Sequence, residues 1–289
     1  MGGSRNKNRG KRKVFVMSSE SNFLKRVLTA VIGIAIILFL VIFGGEWGIT
    51  LLAFVCAVAS LFEFFLILFP AREEWLQRGS GILSGAFLLV FIIFRSQYLY
   101  EGISLVFLFL FILYLCLSHL YQGNHSKLLS DLSFSILGIF YIGFLFSFWP
   151  KVRELSDGVY WIFLVFLIPW LSDTTAYFVG KSFGKNKLSE AISPMKTREG
   201  AFAGVGAAVL GVLGYQFLIF KEITVLDSIL LGVIGSCLSQ AGDLFESFIK
   251  RSLAVKDSGV LIPGHGGVLD RFDGVLFCGP FIYFYAHLT

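Results

Sequence analysis

The stretch "LKRVLTAVIGIAIILFLVIFGGEWGITLLAFVCAVASLFEFFLILF", residues 24–69, holds only Lys25, Arg26, Glu46 and Glu63 as charged side chains, in two apolar runs parted by a Gly-Gly pair. Each run is close to the ~20 apolar residues that a helix needs to cross the hydrocarbon core of a bilayer. These are candidate spans near 24–43 and 47–69. The same reading along the chain gives others near 80–97, 102–118, 132–149, 159–180, 201–220 and 225–242, and a shorter one at 275–288. The last is expected to begin deeper, to tilt or to pack against its neighbours. No internal repeat, low-complexity linker or alternating strand pattern stands out. The expected fold is all-α, a polytopic integral membrane helix bundle of eight or nine transmembrane helices with a polar site facing the cytoplasm.

Composition points the same way. The 289 residues are 56% hydrophobic, 17% aromatic and 15% charged, against roughly 25% charged in soluble domains. Cys56, Cys116, Cys237 and Cys278 lie singly in apolar runs and read as packing residues rather than as disulfides or zinc ligands. The opening "MGGSRNKNRGKRKVF" is basic and reads as a disordered tail; contact with anionic headgroups and initiation at Met17 are the other readings. The apolar run after it continues for a full span, so it reads as a retained helix, not a cleaved signal. Lysine and arginine are retained on the cytoplasmic side. With the N-terminus inside, only Arg95, Lys151, Arg153 and Lys221 fall outside. The polar stretches 181–200 and 243–274 then face the cytoplasm, where nucleotides are.

Three constellations break the apolar pattern. "PWLSDTTAYFVGKSFGKNKL" places Asp173 inside a span, at a cost of roughly 2.5–3.5 kcal/mol at a helix centre, beside Ser172, Thr174, Thr175 and Tyr177. Such an acid needs a partner or a watery cavity; a plain interhelical hydrogen-bond cluster is the structural alternative. "ISPMKTREG" offers Lys196 and Arg198 for gripping phosphate. In "QAGDLFESFIKRSLAVKDSG", Asp243, Glu246 and Lys250 stand at i, i+3 and i+7, one face of a helix expected to lie at the membrane surface, with Phe245, Phe248 and Ile249 opposite. An ordinary interfacial helix explains that periodicity, but not the loop that follows. "KDSGVLIPGHGGVLDRFDG", Lys256 to Gly274, combines Pro263, four glycines before the acids, His265, Asp270, Arg271 and Asp273. Glycines permit close backbone approach to a ligand, and carboxylates without surplus imidazole or thiolate favour magnesium over zinc. His265 is open to nucleotide contact, proton transfer or loop bracing. The residues alone reach a magnesium-dependent phosphoryl or nucleotidyl transfer on a lipid; a transporter, the reading from another class, fits poorly with the lack of repeats and with charge gathered in cytoplasmic segments.

From Ser247, "SFIKRSLAVKDSGVLIPGHGGVLDRFD" resembles the signature of the phosphatidate cytidylyltransferases, or CDP-diacylglycerol synthases: Ser-x-x-Lys-Arg, Lys-Asp, Pro-Gly-His-Gly-Gly and Asp-Arg-x-Asp. "SDTTAYFVGKSFGKNKL" and "ISPMKTREG" resemble the family's upstream blocks, and Glu63 resembles a glutamate often found late in the second span. Met195 departs from the usual Ser-Pro-Lys-Lys-Thr. The resemblance implies CTP and phosphatidate as substrates, CDP-diacylglycerol and pyrophosphate as products, and magnesium as cofactor, with or without a second cation. It implies Asp243, Lys250, Lys256, Asp270 and Arg271 in catalysis, and Ser172, Asp173, Lys196, Thr197, Glu246, Arg251, Asp257, His265, Gly266 and Gly267 in substrate binding. Metal ligands are expected among Asp243, Asp270, Asp173 and Asp273. The expected organisation is a basic tail at 1–22, N-terminal helices at 23–158 and a catalytic region at 159–289. The expected setting is the inner membrane among its lipids, with no nucleic acid partner and with a homodimer as a family habit. A CDP-archaeol synthase or a polyprenol kinase is the neighbouring alternative.

Overall fold

The computed structural model describes residues 19–94, 98–122, 125–262 and 266–289. Most of the basic tail therefore lies outside the described residues, as does His265. The chain is a bundle of helices: α1 (Ser19–Phe43), α2 (Gly45–Leu68), α3 (Trp75–Ile93), α4 (Tyr98–Gln122), α5 (His125–Gly138), α6 (Phe148–Glu154), α7 (Gly158–Phe183), α8 (Arg198–Leu218), α9 (Val225–Ser252) and α10 (Leu269–Leu288). A π-helical turn, Ile139–Phe144, joins α5 towards α6. Among the described residues, six helical stretches are long and apolar enough to cross a membrane, and Val27–Phe43 and Leu105–Tyr121 are shorter apolar ones. Phe39, Phe43, Trp47, Phe109, Phe202 and Leu218 are exposed on the outer faces, as lipid-facing side chains must be.

The polytopic all-α expectation holds, with three differences of detail. Residues 187–189 and 193–197 pair as an antiparallel hairpin, β1 (Lys187–Ser189) and β2 (Ser193–Thr197); strands this short carry no readable alternation. The expected surface helix after residue 242 is the uninterrupted end of α9. Its polar face finds partners inside the protein, so Glu246 and Ile249 are both buried while Phe248 is exposed. The last helix begins at Leu269 rather than near 275.

Packing in the C-terminal half runs α7 on α8, α8 on α9 and α9 on α10, with α10 also against α7, α6 and α2. Small residues let these backbones approach, the usual device where helices associate inside a bilayer. A Cβ at Gly204 would stand 2.8 Å from the Ser172 carbonyl oxygen, and one at Gly242 would stand 2.6 Å from that of Asp273. The second contact brings the acidic ends of α9 and α10 together. Trp149 on α6 is fully buried, with ring centroids 4.8 Å from Phe146, 4.9 Å from Phe166 and 5.2 Å from Phe272, so one aromatic joint ties α6, α7 and α10.

α9 ends in a Schellman motif: Val255 N donates to the Lys250 carbonyl at 2.9 Å and Ala254 N to that of Arg251 at 3.0 Å. This turns the chain sharply into the glycine-rich loop. Ala254 occupies the left-handed region at φ 57, where a Cβ is unfavourable. Ala254→Gly is expected to stabilise the protein by about 0.5–1 kcal/mol, seen as a higher unfolding temperature in detergent.

Candidate functional site

The polar residues form two adjoining parts. The first is a cavity of about 640 Å³ walled by α7, the hairpin, α8 and α9. This is within the range of small-molecule sites, about 300–1,000 Å³. Asp173 and Tyr177 enter it from α7, Lys187 and Lys196 from the hairpin, and Gln240 and Asp243 from α9. Lys196 and Asp243 form an ion pair across it. The hairpin that carries Lys196 is fastened at its base by Glu199, which accepts from Asn186 Nδ2 at 2.7 Å and from the amides of Lys185 and Asn186 at 3.2 Å.

The second part is the junction of α9, the glycine-rich loop and α10. Lys250 donates to Asp270 Oδ1 at 2.6 Å and pairs with Glu246 one turn back on its own helix. Asp270 also accepts from Ser258 N at 3.1 Å and Gly267 N at 3.0 Å. One carboxylate thus ties the start of α10 to both arms of the loop. Between those arms Ile262 and Gly266 exchange backbone hydrogen bonds of 3.0 and 3.2 Å, and Gly266 takes φ +89. Asp273, buried one turn along α10, accepts from Gly274 N at 2.7 Å.

Several expected site residues have structural partners. Ser172 is buried, 2.8 Å from Ser236 Oγ, and Gln240 Nε2 donates to both hydroxyls and to the Ala201 carbonyl. Thr197 caps α8 by accepting from Gly200 N at 3.2 Å. Arg251 donates to the carbonyls of Ile192 and Val255 at 3.4 Å, linking α9 to the hairpin region and the loop. Lys256, Asp257 and Arg271 are exposed.

Four further residues join the site, beyond those expected in catalysis, substrate binding or metal ligation. Lys181 and Lys187 line the cavity; they follow Asp173 in a visibly lysine-rich stretch. Tyr141, on the π-helical turn, is buried against Phe245 with centroids 5.2 Å apart. Its hydroxyl has no partner among the described residues and lies within electrostatic reach of Asp273, Glu246, Asp243 and Asp270. Glu63 on α2 reaches the loop itself. Glu63 is marked in the sequence only by its resemblance to a family glutamate, and Tyr141 by nothing local.

Among the described residues, no three carboxylate, imidazole or thiolate groups are gathered closely enough to hold one ion as they stand. The donor chemistry nonetheless fits a hard divalent cation. Asp273 on α10 lies within electrostatic reach of Asp173 on α7 and of Asp243 and Glu246 on α9, as does Asp173 of Asp243, and lysine ammonium groups supply the positive charge beside two of them. Oxygen donors of this kind suit magnesium.

The acidic groups, Glu246 and Asp273 of them buried, thus stand with lysine partners beside a cavity of small-molecule size. The profile of the Cytidylyltransferase family matches residues 24–289. The chain belongs to the cytidylyltransferase family. It is therefore an enzyme of the nucleotidyltransferase class. Similar curated proteins named phosphatidate cytidylyltransferase include one from Bacillus subtilis, 37% identical over 90% of this chain and 96% of its own length. Others are from Synechocystis sp., 35% identical over 91% and 96%, and from Staphylococcus epidermidis, 34% identical over 89% and 96%.

The ion-pair cluster makes a stability prediction for this family member. Lys250→Met leaves Glu246 and Asp270 buried without their cation, so it is expected to cost about 3–5 kcal/mol. Lys256→Met, at an exposed position, is expected to change stability by less than about 0.5 kcal/mol. Thermal unfolding of the two variants in the same detergent measures the difference.

Proposed function

We propose that this enzyme transfers the cytidylyl group of CTP to phosphatidate, giving CDP-diacylglycerol and pyrophosphate for phospholipid synthesis. The carrying observation is the cavity in which Lys196 and Asp243 face each other, beside the loop that bears the family signature. The names of the similar curated proteins support the same lipid substrate.

A phosphate oxygen of phosphatidate attacks the α-phosphorus of CTP. The bond from that phosphorus to the bridging oxygen breaks, and pyrophosphate leaves with the electron pair. The attacking oxygen is already anionic near neutral pH, so positioning matters more than a general base. Lys196, with Lys181 and Lys187 around the cavity, neutralises triphosphate oxygens; Lys250, Arg251, Lys256 and Arg271 supply positive charge at the loop side, where the lipid phosphate enters. Asp243, Asp173, Asp273 and Asp270 would hold magnesium, which when bound supplies charge neutralisation for the triphosphate and the leaving group. The catalytic region is 159–289, its site on the cytoplasmic side of the inner membrane, and the acyl chains stay among the helices.

The test is formation of radiolabelled CDP-lipid from CTP by the purified protein in detergent micelles. Diacyl phosphatidate should give product; product only from an isoprenoid phospholipid or polyprenol would move the reading to a related CTP-dependent lipid enzyme. Asp243→Asn should lower kcat at least about 100-fold. Lys196→Met should raise KM for CTP, while Lys221→Met, on the connection between α8 and α9, should match the unaltered enzyme.

A further inference from the structure

Glu63 lies near the C-terminal end of α2, about two hundred residues in sequence from the loop it touches. It is buried, with 1% exposure, and forms no ion pair with lysine or arginine among the described residues. An ionisable group buried in a membrane bundle is costly and calls for a task. Its Oε2 accepts from Leu269 N at 3.1 Å and from Ser258 Oγ at 3.3 Å. Those partners flank Asp270, which accepts from Ser258 N and Gly267 N on the other side. Ser258 is thus held through its hydroxyl by Glu63 and through its amide by Asp270. Leu269 N belongs to the first turn of α10 and has no carbonyl of its own helix to bond, so Glu63 satisfies it as a cap supplied by another helix.

The loop closes tightly over this carboxylate. A Cβ at Gly259 would run into Glu63, and one at Gly267 would run into Ser258 Oγ with Glu63 Oε2 2.7 Å away. At these two positions the glycines are needed for contact with α2. Glu63 is absent from the walls of the nucleotide-sized cavity. Its contacts are therefore with the loop and the start of α10, and not with the cavity wall.

We propose that Glu63 is a positioning residue for the cytidylyl transfer: a carboxylate on the N-terminal half fixes the signature loop, and through it Asp270, in the geometry the reaction uses. This rests on the reaction proposed above. The N-terminal helices then complete the reactive part of the site as well as surrounding the lipid.

The experiment uses the full chain in detergent micelles, with Glu63→Gln, Glu63→Ala, Ser258→Ala, the Glu63→Gln/Ser258→Ala pair, and Glu46→Gln at the other end of α2 as control. Two quantities are read: kcat with KM for CTP, and hydrogen–deuterium exchange of residues 256–270 against that of α7 and α8. Glu63→Ala is expected to lower kcat by about 10- to 100-fold, with KM for CTP within about threefold of the unaltered enzyme and faster exchange confined to 256–270. Glu63→Gln keeps an acceptor oxygen and should recover part of both effects, and Glu46→Gln should have neither. The paired change should be less than additive with Ser258→Ala, since both remove the same contact. If Glu63→Ala fails to fold, Glu63→Gln and Ser258→Ala decide by the same readouts. Unchanged loop exchange in the variants, or a rise in KM for CTP with kcat intact, would overturn the proposal. If the unaltered protein makes no CDP-lipid, the reaction reading fails, and the exchange data still decide whether Glu63 holds the loop.

Discussion

Lys250 sits between Glu246 and Asp270, and the polar half of the molecule is arranged around that contact. Two carboxylates buried among apolar helices would be strongly unfavourable without a cation, because the interior gives back little of the hydration they lose. Lys250 comes from the same helix as Glu246, and Asp270 starts the next one, so the charge balance also fixes how α9 meets α10. The close approach at Gly242 lets that pairing form, and the Schellman turn at Ala254 sends the intervening chain back over it. Stability and site geometry share one set of groups here.

The same balance explains why the acids are readable in the sequence. Asp173, Asp243, Glu246, Lys250 and Asp270 are conspicuous because charge in an apolar chain is rare and expensive, and the i, i+3, i+7 spacing puts three groups on one helix face by periodicity alone. The apolar runs likewise foretell most of the helices, although α9 runs on to Ser252 and the run at 132–149 is divided among α5, the π-helical turn and α6. What fails is a local inference about environment. The polar face of residues 243–250 looks like a face for water, yet it meets Asp270 from a segment twenty residues on. Ser172 and Thr197 also find partners within the fold, in Ser236, Gln240 and Gly200, and Thr197 lines the cavity.

The contacts of Tyr141 and Glu63 are beyond local sequence reasoning for a different reason. Each is one polar group in an otherwise ordinary apolar span, and its meaning depends on long-range packing. A π-helical turn aims Tyr141 at the acids, and α2 must dock on α10 before Glu63 can reach Leu269. The division into N-terminal helices and a catalytic region describes where the motifs lie. The hydrogen bonds cross that division and couple the two halves.

The proposed reaction needs the carboxylates of α7, α9 and α10 to act as one acidic centre for a hard cation. Electron paramagnetic resonance of Mn2+ added to the purified protein measures this directly, since bound and free ions give different signals. The account predicts a bound Mn2+ that Mg2+ displaces and that Asp243→Asn loses. Mn2+ binding of unaltered strength in Asp243→Asn, or none in the unaltered folded protein, would contradict it.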